Sequence, residues 1–360
     1  MKIKKIAVIG LGKVGALAAQ LLKQSGFDVI GLDVHPGKST SPFPVFVLDV
    51  SDISALDKHL QDCDAVLSCL PYHLNLDLAK LCHLKGLHYF DLTEDVPTTK
   101  EIISLSETST AVMVPQCGLA PGFIGIVGSH LVSQFETVRS LKLRVGALPQ
   151  NPTGLLAYAF NWSPEGVVNE YLNDCEVIEE GQHKWVSAME WLETIYINGV
   201  QLEAFTTSGG LGTMCQTYLS KIDNLDYKTM RYPGHVKLMN FFFHELLLRE
   251  NRELAGKILT HAKPPVNDDV VYVHAAAEGL VDDRLKRQEF VEAYYPKEIG
   301  GKMRTAIAWT TSASACAVIE LVSQGLLPER GFIKQEDISL QTLMNTSSGS
   351  YYKKEEKYHG

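Results

Sequence analysis

The sequence predicts an α/β fold: a doubly wound parallel sheet of Rossmann type, interrupted by an inserted α+β domain and completed by C-terminal helices. Three observations predict it. An apolar, mostly β-branched run, Ile6-Ala7-Val8-Ile9, meets a turn with Gly10, Gly12 and Gly15, then a helical repeat of Leu17, Leu21 and Leu22. Strand-like and helix-like segments alternate from there to about Gly118, as a parallel sheet with right-handed crossovers requires. Beyond "LAPGF" the alternation gives way to sheet-rich sequence, and from about Gly301 a long helix dense in Ala and Ser follows.

Each element has its own warrant. The first strand reads as buried on both faces because its apolar run is continuous. Gly26 stops the first helix, and "DVIGLD" is a second strand ending in Asp33. "PVFVLDV" (44–50) is a third strand, and Asp52 or Ser51 caps a helix over 52–63. "DAVLSCLP" (64–71), "LHYFDLT" (87–93) and "AVMVPQCG" (111–118) are further strands, separated by helices over 73–86 and in "TTKEIISLSETS". Later, "SLKLRVGALPQ" and "GLLAYAFNWSPEG" alternate as strands, "VVNEYLND" reads as a helix and "EVIEEGQHKWV" as a hairpin. "YKTMRYPGH" reads as a constrained loop turning at Pro233-Gly234. The tail "NTSSGSYYKKEEKYHG" is too polar to add to a core. The expected domains are therefore 1–122 (dinucleotide-binding), 123–300 (α+β), 301–345 (helices returning to the first domain) and 346–360 (polar tail).

Composition narrows the function. The chain has 360 residues, a formal net charge of −9 and a pI near 5.7. That balance argues against a nucleic-acid or anionic-membrane binder. The apolar stretch from Ala111 to Val132 is broken by prolines and glycines, so no membrane anchor is expected. Seven cysteines lie scattered with no C-x-x-C pair, so the chain reads as cytoplasmic, with free thiols and no metal site.

The glycine turn carries the clearest chemistry. Gly10 permits the tight turn, Gly12 lets a pyrophosphate approach the backbone, and Gly15 lets helix and strand pack closely. Leu11, Lys13 and Val14 complete the turn, whose helix start offers free N–H groups to phosphate. Asp33, about 20 residues on, stands where a carboxylate accepts from ribose hydroxyls. Val34, Cys69, Leu70 and Pro71 follow neighbouring strand ends and complete the cofactor list. A carboxylate at Asp33 repels a 2′-phosphate, so NAD is expected over NADP; Lys38 is the nearest following cation.

The order "AVIGLGKVG", "SCLPYHLN", "DLTED", "PQCGLAPGF", "FNWSPEG", "EAFTTSGGLGT" and "YKTMRYPGH" resembles the saccharopine dehydrogenase-like oxidoreductases over almost the whole chain. Length and the "WSPEG…EY" stretch look most like the lysine 6-dehydrogenase branch. The resemblance implies a nicotinamide cofactor, oxidation of a C–N bond in an amino acid, and a homodimer formed through the inserted domain. Its alternatives are a saccharopine dehydrogenase in the strict sense and a catalytically decayed dinucleotide sensor.

Amine oxidation needs a proton acceptor and a substrate anchor. For proton handling the residues offer Tyr72, His73, Asp91, Glu94, Asp95, Cys117 and His235, and leave the choice open, with Asp91, Cys117 and His235 foremost. Lys228, Arg231 and His235 crowd one short segment that suits an α-carboxylate, Arg231 being the fork-shaped partner. Tyr72, Trp162 and Glu165 complete the expected substrate contacts, Glu165 facing an ammonium.

Overall fold

The computed structural model describes residues 2–37 and 41–354, so Lys38 and the last six residues lie outside the described residues. The first sheet contains β1 (Lys5–Ile9), β2 (Asp28–Asp33), β3 (Val45–Val47), β4 (Ala65–Ser68), β5 (His88–Phe90) and β6 (Val112–Val114). A last short strand, Gly331–Phe332, pairs in parallel with β6. The order across the sheet is β3, β2, β1, β4, β5, β6 and then Gly331–Phe332. The chain builds outward from β1 to β3, then returns to β4 on the other side of β1. That reversal makes a crevice beyond the carboxyl ends of β1 and β4, where ligands bind on such sheets.

Continuous burial explains the centre of the sheet: Ile6, Ala7, Val8 and Ile9 are wholly buried. The first helix, Lys13–Gln24, lays Leu17, Ala18, Leu21 and Leu22 on them. The long helix Ala306–Ser323 then covers the first helix. Ser312 Oγ donates to the Val14 carbonyl at 2.8 Å and Ser323 Oγ to the Ile3 carbonyl at 3.2 Å. Small residues permit that close approach. The long helix starts at Ala306, after a small ladder of Lys297–Ile299 with Lys302–Arg304, rather than at Gly301.

The second sheet contains β7 (Thr137–Pro149), β8 (Cys175–Glu179), β9 (Gln182–Val186), β10 (Glu193–Ile197), β11 (Val200–Thr206), β12 (Ile222–Arg231), β13 (Asp269–Val281) and β14 (Arg284–Tyr294). Its order is β10, β11, β12, β7, β13, β14, with the β8–β9 hairpin attached to β12. Asp269, at the start of β13, joins the domains: its carboxylate accepts from the N–H groups of Ala306 and Ile307 at 2.6 and 2.9 Å. It thereby caps the long helix.

Three expectations need correction. "YKTMRYPGH" is mostly strand, because β12 runs through to Arg231 before the Pro233-Gly234 turn. "GLLAYAFNWSPEG" is irregular up to the helix Pro164–Leu172: its alternation reflects Tyr158 and Phe160 packing inward, while its backbone bonds to the loop around Lys263. The polar tail also reaches the core. Tyr352 is 3% exposed, stacks on Phe123 at 3.8 Å between ring centroids, and donates to the Thr310 carbonyl. A polar average hid one well-placed aromatic ring. Tyr352→Ala is therefore expected to cost about 3 kcal/mol, read as a lowered urea midpoint.

Candidate active site

The glycine turn ends β1 with geometry that fits a dinucleotide. Gly10 has φ +88°, and a Cβ there would lie 2.7 Å from the Cys69 carbonyl oxygen. At Gly15 a Cβ would meet the Gly10 carbonyl oxygen at 1.8 Å, so only glycine allows the helix to sit on the turn. Gly12 faces open space and caps the first helix without a side-chain hydrogen bond. Its end is thus left for an anionic group. Asp33 Oδ2 accepts from the Leu11 N–H at 2.5 Å and Oδ1 from the His35 N–H at 2.6 Å, so the carboxylate also braces the turn. Val34 is half exposed beyond it.

A cleft of about 500 Å³ runs from Gly12–Gly15 and Cys69–Tyr72 to the face of the second sheet. Glu94, Trp162, Glu170, Tyr227, Thr229 and Arg231 line its substrate side. Tyr227, Thr229 and Arg231 alternate along β12, which puts them on one face. Arg231 is 2% exposed. Its Nη1 donates to Thr229 Oγ1 at 2.7 Å and to the Met230 carbonyl at 2.8 Å, and its guanidinium lies 4.6 Å from the Tyr158 ring centre. Among the described residues Nη2 has no hydrogen-bond partner, and it is left to the cleft.

A chain of bonds with determined polarity holds Arg231 from behind. His235 Nδ1 lies 3.0 Å from the Leu156 carbonyl oxygen, which can only accept, so Nδ1 carries the proton. Burial, reinforced by the Arg231 charge, pushes His235 down to about 3 and keeps it neutral. Its Nε2 therefore accepts from the Tyr171 hydroxyl at 3.1 Å. The hydroxyl oxygen is then free to accept from Arg231 Nε at 2.8 Å.

Two carboxyls line the same cleft. Burial, with the Glu94 charge nearby, pushes Glu170 well above the usual carboxylate range, while Arg231 opposes the rise. Burial first, and the charges of Asp95 and Asp91 after it, raise Glu94 to about 7. A Cβ at Gly166 would lie 2.6 Å from Glu94 Oε1, so Glu94 reaches the start of the helix Pro164–Leu172 across the cleft. One buried cation and two carboxyls raised by burial thus share a cleft with the dinucleotide turn.

Residues 6–113 match the family model "Saccharopine dehydrogenase NADP binding domain" and residues 118–346 match "Saccharopine dehydrogenase C-terminal domain". The chain belongs to the saccharopine dehydrogenase family. It is 24% identical over 279 residues to the mitochondrial alpha-aminoadipic semialdehyde synthase of Mus musculus, covering 72% of this chain and 30% of that one. It is 26% identical over 153 residues to saccharopine dehydrogenase (NADP(+), L-glutamate-forming) of Saccharomyces cerevisiae, covering 41% and 34%. The chain therefore spans about a third of the length of these curated relatives. The apo saccharopine dehydrogenase (L-Glu forming) structure from Saccharomyces cerevisiae shares the fold at TM-score 0.74 and 16% identity, over 97% of this chain and 98% of that one. A DAP dehydrogenase of C. glutamicum, in complex with DAP, shares it at TM-score 0.52 and 12% identity, over 95% and 96%.

In this family member several sequence-predicted site residues do not line the cleft. Lys228 and Arg231 stand an odd number of residues apart on a strand, so they face opposite ways. Lys228 Nζ contacts Glu193 at 3.1 Å and the Trp191 carbonyl at 2.6 Å, on the far face. His235 supports the anchor and is itself buried behind Tyr171. Glu165 is exposed, 3.8 Å from His73 Nδ1, because it occupies the outer first turn of the helix Pro164–Leu172; Glu170, on the inner face, lines the cleft. Asp91 is spent on structure. It accepts from Thr93 and Gln116 N–H groups and the Tyr89 hydroxyl at 2.8–3.0 Å, and burial raises it to about 6 despite those bonds. Asp95 caps the helix Val96–Ser106. Cys117 is wholly buried with Sγ 3.1 Å from the Val114 carbonyl, and burial pushes its thiol up, so it is inert.

Sequence reasoning missed Glu170 and Tyr171. Their signal was available: Ser163 caps a helix whose inner face is set by Val167, Val168 and Tyr171, and an acid among them is buried. Glu94 generates a prediction about stability. Its folded carboxyl lies above the usual 4.5, so the stability it contributes is present below that value and lost as pH rises through about 7. Ligand-free Glu94→Gln should therefore exceed wild type in urea midpoint at pH 8, and the difference should shrink by pH 5.

Proposed function

We propose that the chain is a nicotinamide-dependent dehydrogenase acting on a C–N bond of an amino acid, of the lysine 6-dehydrogenase kind. The observation that carries this reading is the buried Arg231 with its free Nη2, opposite Glu94 and Glu170 in the cleft that the glycine turn enters. L-Lysine has one carboxylate and two amines; the pocket has one buried guanidinium and two carboxyls, Glu170 buried and Glu94 partly so. The bound nicotinamide would accept the hydride from the amine-bearing carbon. Arg231 would hold the α-carboxylate, and Glu94, near neutrality, would take the ammonium proton that must leave before an imine forms. Glu170 would hold the second amine.

Saccharopine carries three carboxylates and calls for several cations. Among the described residues lining the cleft, only Lys13 joins Arg231, and Lys13 belongs to the dinucleotide turn. An intact anchor and its supporting chain also speak against a decayed sensor.

Arg231→Ala should lose on the order of a hundredfold or more in kcat/KM for the amino acid, since removing one partner of a desolvated pair costs about 2–5 kcal/mol. NAD affinity should stay nearly unchanged. Tyr171→Phe should raise KM for the amino acid by a smaller factor, because Arg231 Nε loses its acceptor. Wild-type kinetics in Arg231→Ala would overturn the assignment.

On the cofactor, we propose NAD over NADP, although the family model and the yeast relative carry NADP in their descriptions. The support is Asp33, whose charge would face a 2′-phosphate at a cost on the order of a few kcal/mol. Initial rates should favour NAD, and Asp33→Ser should narrow the gap; equal efficiency with both cofactors in wild type would contradict this.

A further inference from the structure

Away from the cleft, the β8–β9 hairpin lies against the short helix Met214–Tyr218. There a Glu176 carboxylate oxygen, a His183 ring nitrogen and the Cys215 sulfur lie within 4.8 Å of one another. The register places His183 opposite Ile178, so Glu176 and His183 share a face of the hairpin. Cys215 approaches that face from the helix, buried at 1% exposure. Cys215 stands 32 residues beyond His183, and no C-x-x-C or H-x-x-H spacing links the three, so spacing alone signals no metal.

The polar groups here are poorly satisfied. The Glu176 side chain is only 12% exposed, yet among the described residues it makes no direct hydrogen bond. Its cationic neighbours stand off: His183 Nε2 at 3.7 Å and Lys100 Nζ at 4.0 Å. The Cys215 thiol likewise has no hydrogen-bond partner among the described residues. A mostly enclosed carboxylate with no direct donor in the protein, its oxygens still open to the surface, is placed to take up a water or an ion.

We propose that Glu176, His183 and Cys215 form a site for a divalent transition-metal ion of the zinc class. The donor set decides the class. Thiolate and imidazole suit zinc and its neighbours, whereas magnesium and calcium take oxygen. Ligand distances of about 2.0–2.3 Å put donors roughly 3.5 Å apart in a tetrahedron. The 4.8 Å cluster thus needs a contraction on the order of 1 Å, within reach of rotation of the half-exposed His183. Lys100 has an alternative resting place over the Trp185 ring, 5.3 Å from its centre. Cys215 gives up its proton on binding, so affinity rises with pH. A water completes the fourth position.

The ion ties the hairpin to the helix that follows the glycine loop 207–213. That loop abuts the active site, since a Cβ at Gly209 would lie 2.2 Å from the Glu94 carbonyl oxygen. Its role is structural, and it does not depend on the proposed reaction.

The test uses the full chain, dialysed against a chelator and titrated with Co(II), then Zn(II). Wild type should bind one Co(II) with a thiolate-to-cobalt charge-transfer band and tetrahedral ligand-field bands, which Zn(II) abolishes. Zn(II) should also raise Tm. Cys215→Ser should lose the thiolate band. His183→Ala, at a partly exposed position that the fold tolerates, should weaken binding on the order of a hundredfold. Absence of a thiolate band at about tenfold excess Co(II), a band that survives Cys215→Ser, or unchanged affinity in His183→Ala would each overturn the site.

Discussion

A permanent positive charge buried at the edge of the cleft is the constraint around which this molecule is arranged. A guanidinium cannot shed its proton in a protein, so burying Arg231 must be compensated on every side. Thr229 and the Met230 carbonyl take Nη1, Tyr171 takes Nε, the Tyr158 ring centre lies 4.6 Å from the guanidinium carbon, and Glu170 stands nearby with its carboxyl pushed up by burial. The chain through Tyr171 works in one direction only, because His235 must stay neutral to accept from it. Burial next to a cation keeps it so. The same charge that needs the support therefore helps burial keep the supporting imidazole neutral, while the Leu156 carbonyl fixes its tautomer.

The fold delivers that anchor to the cofactor turn. β12 ends at Arg231 on the cleft face of the second sheet, and the reversal between β1 and β4 opens the crevice of the first. The domains are joined where relative movement would misplace the reacting groups. Asp269 caps the long helix from the second sheet, and Thr213 and Thr217 donate to the buried Glu336 carboxylate at 2.6–3.0 Å. Groups carried by the two domains can then keep their alignment across the cleft.

The first domain was legible because each element announces itself locally: an apolar run, a glycine turn, a capped helix. Gly10, Gly12, Gly15 and Asp33 sit at strand ends whatever the rest of the chain does. The substrate side was legible only in part. Arg231, singled out by its chemistry, is buried against the cleft, but clustering in sequence also swept in Lys228, which the pleat turns to the opposite face. Asp91 and Cys117 lie at strand ends, where function is expected, yet one step of strand direction sends them into packing. Glu170 sits five residues beyond Glu165, and only the inner face of the helix, fixed by tertiary packing, separates the two. Tyr352 shows the same limit: composition averages over a segment, whereas a core accepts single residues.

Complementarity between the cleft and its substrate is the central proposal: one buried guanidinium, with Glu170 buried and Glu94 partly buried, would suit an amino acid with one carboxylate and two amines. The most direct measurement is initial NADH formation by the wild-type chain with L-lysine and with saccharopine, side by side, across pH 6 to 9. The account predicts turnover of L-lysine, with kcat/KM rising through about pH 7 as Glu94 ionises, and little or none of saccharopine. Preferred turnover of saccharopine would contradict it.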